Sequence, residues 1–261
     1  MTEVIIVKDE NEAGELYAKV ILDLIKKRPD AVLGLATGSS PLAAYKHLAQ
    51  HVHDDNIDVS KVRGFALDEY VGLPVTHPQS YRATITRTVV EPVGLNPDLV
   101  QVPNGSEETI AHAGADYDAA IHAAGGVDVQ ILGIGTDGHI GFNEPGSSLA
   151  SRTRMKTLTE QTRIDNARFF DSLEQVPTHC ITQGIGTILE ARHLVLLAFG
   201  QNKAEAIAET VEGGVSSFCP ASALQLHPHA TVIVDEAAAS RLRNRDYYRW
   251  AFQHKPEWQS I

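Results

Sequence analysis

Short apolar runs alternate with longer amphipathic stretches along the whole chain. Glu3 to Val7 is a short strand-type run, and from Asn11 to Lys27 the apolar positions, Leu16, Val20 and Leu24 among them, recur at helical spacing. Pro29 closes that helix. Ala31 to Ala36 predicts a buried strand, after which Thr37-Gly38-Ser39-Ser40-Pro41 turns into a helical run over Leu42 to Gln50. Arg63 to Leu67 reads as a third strand ending in Asp68-Glu69-Tyr70. Ser80 then caps a short helix reaching about Val89. Leu99 to Val102 is a strand, and Ser106 to Ala124 a long helix ended by Gly125-Gly126. Val127 to Leu132 is short and β-branched, as a buried strand should be. Thr157 to Leu173 is a polar helix in which Glu160 and Arg163, and Asp165 and Arg168, are spaced for surface ion pairs. The remainder reads as helix over Gly184 to Ala191, strand over His193 to Phe199, and helix from Gln201-Asn202-Lys203 to Val211. A short helix at Ala223 to Leu226, a last strand at Ala230 to Val234 and a mostly helical Asp235 to Tyr248 complete it.

Strands and helices of these lengths in alternation predict an α/β protein. The expected form is a single-domain, open, mainly parallel sheet with helices on both faces, a Rossmann-like arrangement over residues 1–261. Hydrophobic content of 43% and charged content of 21% fit a globular chain, and no apolar run approaches the ~20 residues of a membrane span. The acidic start Met1-Thr2-Glu3-Val4 lacks a signal-peptide pattern, so a cytoplasmic location is expected. A net charge of -11 argues against nucleic-acid binding, which is driven by neutralising phosphates with Lys and Arg. An anionic small substrate would need a local cationic pocket. Cys180 and Cys219, widely spaced and outside any metal or redox pattern, read as reduced packing residues.

Candidate chemistry collects just after strand ends, where open α/β sheets place their ligands. The turn Thr37 to Ser40 opens a helix whose first amides and dipole suit an anion, with Ser39 or Ser40 as its cap. No Gly-Lys-Ser/Thr follows, so it is not a nucleotide P-loop. Asp68 ends one strand, and Lys203 follows another. After Leu132 an acid, an imidazole and a second acid, Asp137, His139 and Glu144, arrive within eight residues and converge if Asn143-Glu144-Pro145-Gly146 turns back. Gly133, Gly135 and Gly138 formally match the dinucleotide fingerprint, but Gly141, Pro145 and Gly146 break the helix that should follow. Asp137, His139 and Glu144 could also ligate a metal, yet no further His or Cys stands at ligand spacing, and neither metal nor organic cofactor is expected.

Three stretches carry a family likeness. They are Leu35-Ala36-Thr37-Gly38-Ser39-Ser40-Pro41, the run Leu67-Asp68-Glu69-Tyr70-Val71-Gly72-Leu73-Pro74, and Gly135-Thr136-Asp137-Gly138-His139-Ile140-Gly141-Phe142-Asn143-Glu144-Pro145. The likeness continues through Ser151 to Arg154, Asn166 to Phe170 and Leu224 to Pro228. The chain resembles the glucosamine-6-phosphate deaminase family over nearly its whole length. The resemblance implies conversion of glucosamine 6-phosphate and water to fructose 6-phosphate and ammonia, without cofactor. It implies Asp68 as the base between C2 and C1, with Asp137, His139 and Glu144 as the ring-opening group and its partners. Gly38, Ser39, Ser40, Arg168 and Lys203 match the phosphate pocket, Arg168 on a mobile lid near 157–176. In some members, residues matching Ser147, Arg154, Lys156 and Thr157 bind the effector N-acetylglucosamine 6-phosphate in a homo-oligomer, a hexamer. The aromatic partner of that site has only Tyr247 or Tyr248 near its place. Two alternatives stand beside this reading: a 6-phosphogluconolactonase-like hydrolase, and a sugar-phosphate-binding regulator without turnover.

Overall fold

The computed structural model describes residues 2–256, 258, 259 and 261, with Asp165 described in its backbone alone. In chain order the first half contains β1 (Glu3–Val7), α1 (Glu10–Lys27), β2 (Val32–Leu35), α2 (Ser40–Asp54), β3 (Arg63–Ala66), β4 (Asp68–Tyr70), α3 (Tyr81–Ile85), α4 (Glu91–Val93), β5 (Val100–Gln101), α5 (Ile110–Ala123) and β6 (Val129–Leu132). The second half contains β7 (Arg154–Thr157), α6 (Glu160–Asn166), β8 (His179–Thr182), α7 (Ile185–Ile188), β9 (His193–Ala198), α8 (Ala204–Val211), β10 (Ala230–Asp235) and α9 (Arg245–Gln253). No helix among the described residues is long and apolar enough to cross a membrane.

The expected parallel sheet is present. Its order is β1-β10-β9-β6-β2-β3-β5, and every pairing in it is parallel. All residues of β2, β6 and β9 are buried, and because successive side chains point to opposite faces, both faces of the sheet's centre are covered. α1 shows why the helices lie where they do. Asp9 accepts the N–H groups of Asn11 and Glu12 at its start, and Tyr17, Ala18, Ile21, Leu22 and Ile25 form its buried stripe. At the opposite rim from the loops described below, Asp128 accepts the Val32 N–H and pairs with Arg28 and Arg192, fixing where β2 and β6 begin.

Strand order also locates a crevice. From β2 the chain steps outward to β3 and β5, then returns to place β6 on the other side of β2 and builds β9 beside it. The loops after β2 and β6 therefore leave in opposite directions, and a cleft opens between them.

Several expected boundaries shift for local reasons. The long helix starts at Ile110, not Ser106, because Asn104 accepts the Ser106 N–H and donates to Thr109 Oγ1, holding 104–109 in a turn. Asp235 belongs to β10 and its carboxylate accepts the N–H groups of Gly200 and Ala238. The helix expected from there is a short turn at Ala238–Arg241 and then α9. Thr157 closes β7, the helix expected over Thr157 to Leu173 is confined to α6, and Leu173 starts a separate turn. Arg163 does not pair with Glu160: its guanidinium donates to the carbonyls of Leu173 and Val176, tying α6 to the segment that follows. The Asp165 side chain of the other expected pair lies outside the described residues. A second, antiparallel sheet, β4-β8-β7, was not anticipated at all.

Candidate active site

The cleft at the β2/β6 divergence is a cavity of about 560 Å³. Thr37, Gly38, Ser39 and Ser40 line it from the end of β2, Asp68 from the start of β4 just beyond β3, His139 from the loop after β6, and Lys203 from the turn after β9. Arg168 reaches it from the segment after α6. Thr37 to Ser40, Asp68, His139 and Lys203 were expected at one rim and Arg168 on a lid, and the fold brings them to one cavity. A larger hollow of about 660 Å³ lies behind Glu69, between loops 72–75 and 102–108. It gathers no imidazole, and the residues expected after the strand ends line the smaller cavity instead.

At the anionic-ligand end, Gly38 has φ +102, a left-handed turn that glycine adopts without steric cost and that sends the chain from β2 into α2. Ser39 stands at the N-cap but makes no side-chain capping bond, contrary to expectation for Ser39 or Ser40. Ser39 and Ser40, at the helix start, both line the cavity, where helix N–H groups suit an anion. Lys203 Nζ donates to the Ile134 carbonyl at 2.7 Å, which holds the ammonium at the cavity wall. The Arg168 guanidinium lies 4.7 Å from the centroid of the Phe169 ring.

At the other end Asp68 is buried at 6% exposure, and no hydrogen bond reaches its carboxylate among the described residues. Burial, with the neighbouring charge of Glu69 adding to it, pushes its pKa up to about 8 in spite of the opposing pull of His139. Gly141, at φ +56, brings backbone against it: a Cβ there would lie 3.4 Å from Asp68 Oδ2 and 3.0 Å from Thr182 Oγ1. Glu69 has a different task. Its carboxylate accepts the N–H groups of Tyr70, Tyr81 and Arg82, so it anchors the start of α3.

His139 carries two acids behind it. Its Nδ1 lies 2.8 Å from Asp137 Oδ1 and 3.7 Å from Glu144 Oε2, while meeting no well-directed hydrogen-bond acceptor among the described residues. Burial opposes the charged imidazole, yet Asp137 and then Glu144 outweigh it and raise the ring's pKa. His139 in turn pulls Asp137 down to about 2. Gly135 makes the arrangement sterically feasible, since a methyl there would overlap the imidazole. The turn Asn143 to Gly146 folds back as its composition predicts. Asn143 Nδ2 donates to the Ile140 and Gln183 carbonyls, and Ser147 N–H to the Glu144 carbonyl.

Two further contacts tie α6 to the site and were not singled out in the sequence. Thr162 Oγ1 donates to Glu144 Oε1 at 2.6 Å, and Asn166 Nδ2 donates to the Tyr70 hydroxyl at 3.0 Å. Tyr81, which also lines the cavity, stacks on Phe142 with centroids 5.9 Å apart. The sequence signals for these were the polar character of the segment and, for Asn166, its place in the family likeness.

The four residues matched to an effector site are not gathered to one face. Strand alternation along β7 puts Arg154 and Lys156 on one side and Thr157 on the other. Arg154 Nη1 donates to Asn143 Oδ1 at 2.7 Å, and Ser147 is buried with its Oγ unpartnered among the described residues. Of the two tyrosines, Tyr248 donates its hydroxyl to Glu212 Oε1, while Tyr247 is exposed.

Known proteins share both this sequence and this fold. A family model described as glucosamine-6-phosphate isomerases/6-phosphogluconolactonase matches residues 10–233. A glucosamine-6-phosphate deaminase of Bifidobacterium longum is 73% identical over 270 residues, spanning 100% of both chains. One of Streptomyces avermitilis is 62% identical over 260 residues, spanning 99% of this chain and 100% of its own. A solved structure described as a monomeric glucosamine-6-phosphate deaminase superposes with a TM-score of 0.89 at 40% identity, covering 92% of this chain and 100% of that one. A 6-phosphogluconolactonase from Trypanosoma cruzi, at 18% identity and TM-score 0.74 over 93% of this chain and 97% of its own, shares the fold. The chain belongs to the glucosamine-6-phosphate isomerase/6-phosphogluconolactonase family.

Proposed function

We propose that the protein is a glucosamine-6-phosphate deaminase, converting glucosamine 6-phosphate and water to fructose 6-phosphate and ammonia. The observation that carries this reading is one cavity with an anion-binding helix start, Lys203 and Arg168 at one end, and an unpaired buried carboxylate facing an acid-backed imidazole at the other. The phosphate anchors the sugar, so that binding energy orients the reacting carbons.

In the proposed sequence the His139 group, supported by Asp137 and Glu144, moves a proton from the C1 hydroxyl to the ring oxygen and opens the sugar to its C1 aldehyde. Asp68 then removes the C2 proton, giving an enolamine, and returns a proton to C1. The resulting C2 imine adds water and expels ammonia, leaving the ketone. Water is consumed at that last step, which makes the overall reaction hydrolytic. An imidazole suits the first step because it exchanges protons near neutral pH, and a desolvated carboxylate suits the second because burial strengthens it as a base.

The segment near 157–176 is proposed as the lid, with Thr162 and Asn166 as its latches and Arg168 as the cation it delivers. The effector reading rests on Arg154, whose link to Asn143 joins β7 to the residue preceding Glu144. An N-acetylglucosamine 6-phosphate phosphate that took Arg154 and Lys156 would alter that link, and Thr157 would contribute through its backbone. A homo-oligomeric, hexameric assembly and a cytoplasmic location complete the proposal.

The direct test supplies purified protein with glucosamine 6-phosphate and, in parallel, with 6-phosphogluconolactone, and measures ammonia and fructose 6-phosphate. Stoichiometric release of both from the amino sugar supports the reading. Hydrolysis of the lactone alone, or binding without turnover, rejects it.

A further inference from the structure

We propose that Asp137, His139 and Glu144 also form an inhibitory site for a divalent transition-metal ion of the zinc or cobalt class. One ligand atom from each residue can be chosen so that all three lie within 4.8 Å of one another. In tetrahedral sites with N and O ligands at about 2.0–2.1 Å, donor atoms stand about 3.3 Å apart. The separations here, 2.8 Å from Nδ1 to Asp137 Oδ1 and 3.7 Å from Nδ1 to Glu144 Oε2, straddle that value. Two carboxylates and a neutral imidazole match a dication in charge. His139 Nδ1 is buried and has no well-directed hydrogen bond to give up. The ligands are also oriented from behind: the His139 N–H donates to Asp137 Oδ1 at 3.2 Å, and Thr162 holds the remaining oxygen of Glu144.

The donor set selects the metal. One imidazole and two carboxylates suit zinc, cobalt or nickel, whereas magnesium keeps its waters and prefers octahedral oxygen. His139 lines the cavity while Asp137 and Glu144 stand behind its ring, so such an ion sits directly behind the imidazole that faces the substrate space. An ion on Nδ1 occupies the ring that ring opening needs for proton transfer, and turnover stops while the phosphate end stays intact. The inhibition rests on the functional reading above; the binding does not.

The test titrates Co2+ into metal-free, untagged protein and follows the visible absorption of the bound ion, with the deaminase rate measured on the same samples. A saturable band and a parallel loss of activity are expected, reversed by EDTA and not produced by equal Mg2+. Asp137→Asn and Glu144→Gln, each verified as folded by circular dichroism, are judged on binding alone. Loss of an outer-shell partner typically lowers metal affinity about 10-fold or more, and loss of a direct ligand should cost at least that. His51→Asn controls for the exposed Glu15, His47 and His51 cluster on α1 and α2 and should leave the band unchanged. No band in a protein that deaminates its substrate, or a band that survives both triad substitutions, overturns the site. Cobalt binding without any deaminase activity would instead overturn the functional reading and leave the metal site standing.

Discussion

Asp68 and Glu69 are chain neighbours, both buried, and their surroundings give them different work. Three backbone N–H groups saturate Glu69, while nothing among the described residues satisfies Asp68. The unmatched burial that readies Asp68 as a base is a strain on the fold. Its folded pKa of about 8 exceeds the ordinary 3.8, so the folded protein holds a proton there that the unfolded chain releases. Stability from that group is full below pH 3.8 and declines as pH rises toward about 8. Asp68→Asn should therefore raise the melting temperature at pH 7 by at least about 2 °C, with a smaller gain at pH 4. An unchanged or lower melting temperature at pH 7 would contradict the environment assigned to Asp68. Gly135→Ala probes the imidazole from the backbone side. The added methyl displaces His139, so turnover of cyclic substrate should fall about 10²-fold or more, with open-chain substrate affected less. Equal losses with the two forms would detach His139 from ring opening. Asp68, His139 and Lys203 were legible in the sequence because polar residues directly after apolar strands reach the sheet's rim. The division of labour between Asp68 and Glu69 was not, because it depends on where α3 starts in space.

Among the elements, the parallel sheet was legible and the small antiparallel one was not. β2, β6, β9 and β10 are apolar runs that the sequence announces. By contrast Asp68-Glu69-Tyr70 of β4 is mostly acidic, and Arg154-Met155-Lys156-Thr157 of β7 shows no apolar face. Their pairing is decided by contacts across the chain, Asp68 opposite Thr182 and Arg154 opposite the same residue. α6, beyond that sheet, is short and largely exposed, held to the site by Thr162 and Asn166. Thr162→Val removes a hydrogen bond to a carboxylate, worth roughly 1.5–3 kcal/mol. The expected result is a several-fold drop in kcat, with the phosphate contacts of Lys203 intact. Arg168→Ala should raise KM and lower kcat together, whereas Lys203→Ala should mainly raise KM; neither should impair a non-phosphorylated analogue. Steady-state kinetics with both sugars separate these outcomes, and unchanged discrimination for phosphate would remove both cations from the pocket.

For the whole molecule, acid sensitivity has a localised source far from the cavity. His193 is buried on β9, with its Nε2 2.9 Å from Thr231 Oγ1 and its ring stacked 3.6 Å from that of His229. Burial, then the charges of His229, His227 and Lys255, lower its pKa from 6.5 to about 3. As pH falls below 6.5 the unfolded chain takes up a proton that the folded protein refuses, so stability drops between pH 6.5 and about 3. The contribution is at most about 1.4 kcal/mol per pH unit. His193→Gln should flatten the urea-midpoint profile between pH 7 and pH 5, and an unaltered slope would reassign the acid sensitivity elsewhere. The central claim concerns the cavity and not the frame around it: Asp68 carries a proton between adjacent carbons of a bound phosphosugar. Turnover of glucosamine 6-phosphate in D2O, read by NMR, tests it most directly. The wild-type protein should place solvent deuterium at C1 of fructose 6-phosphate, and Asp68→Asn, though still binding substrate, should lose that exchange by about 10²-fold or more. Exchange in Asp68→Asn within a few-fold of wild type would contradict the account.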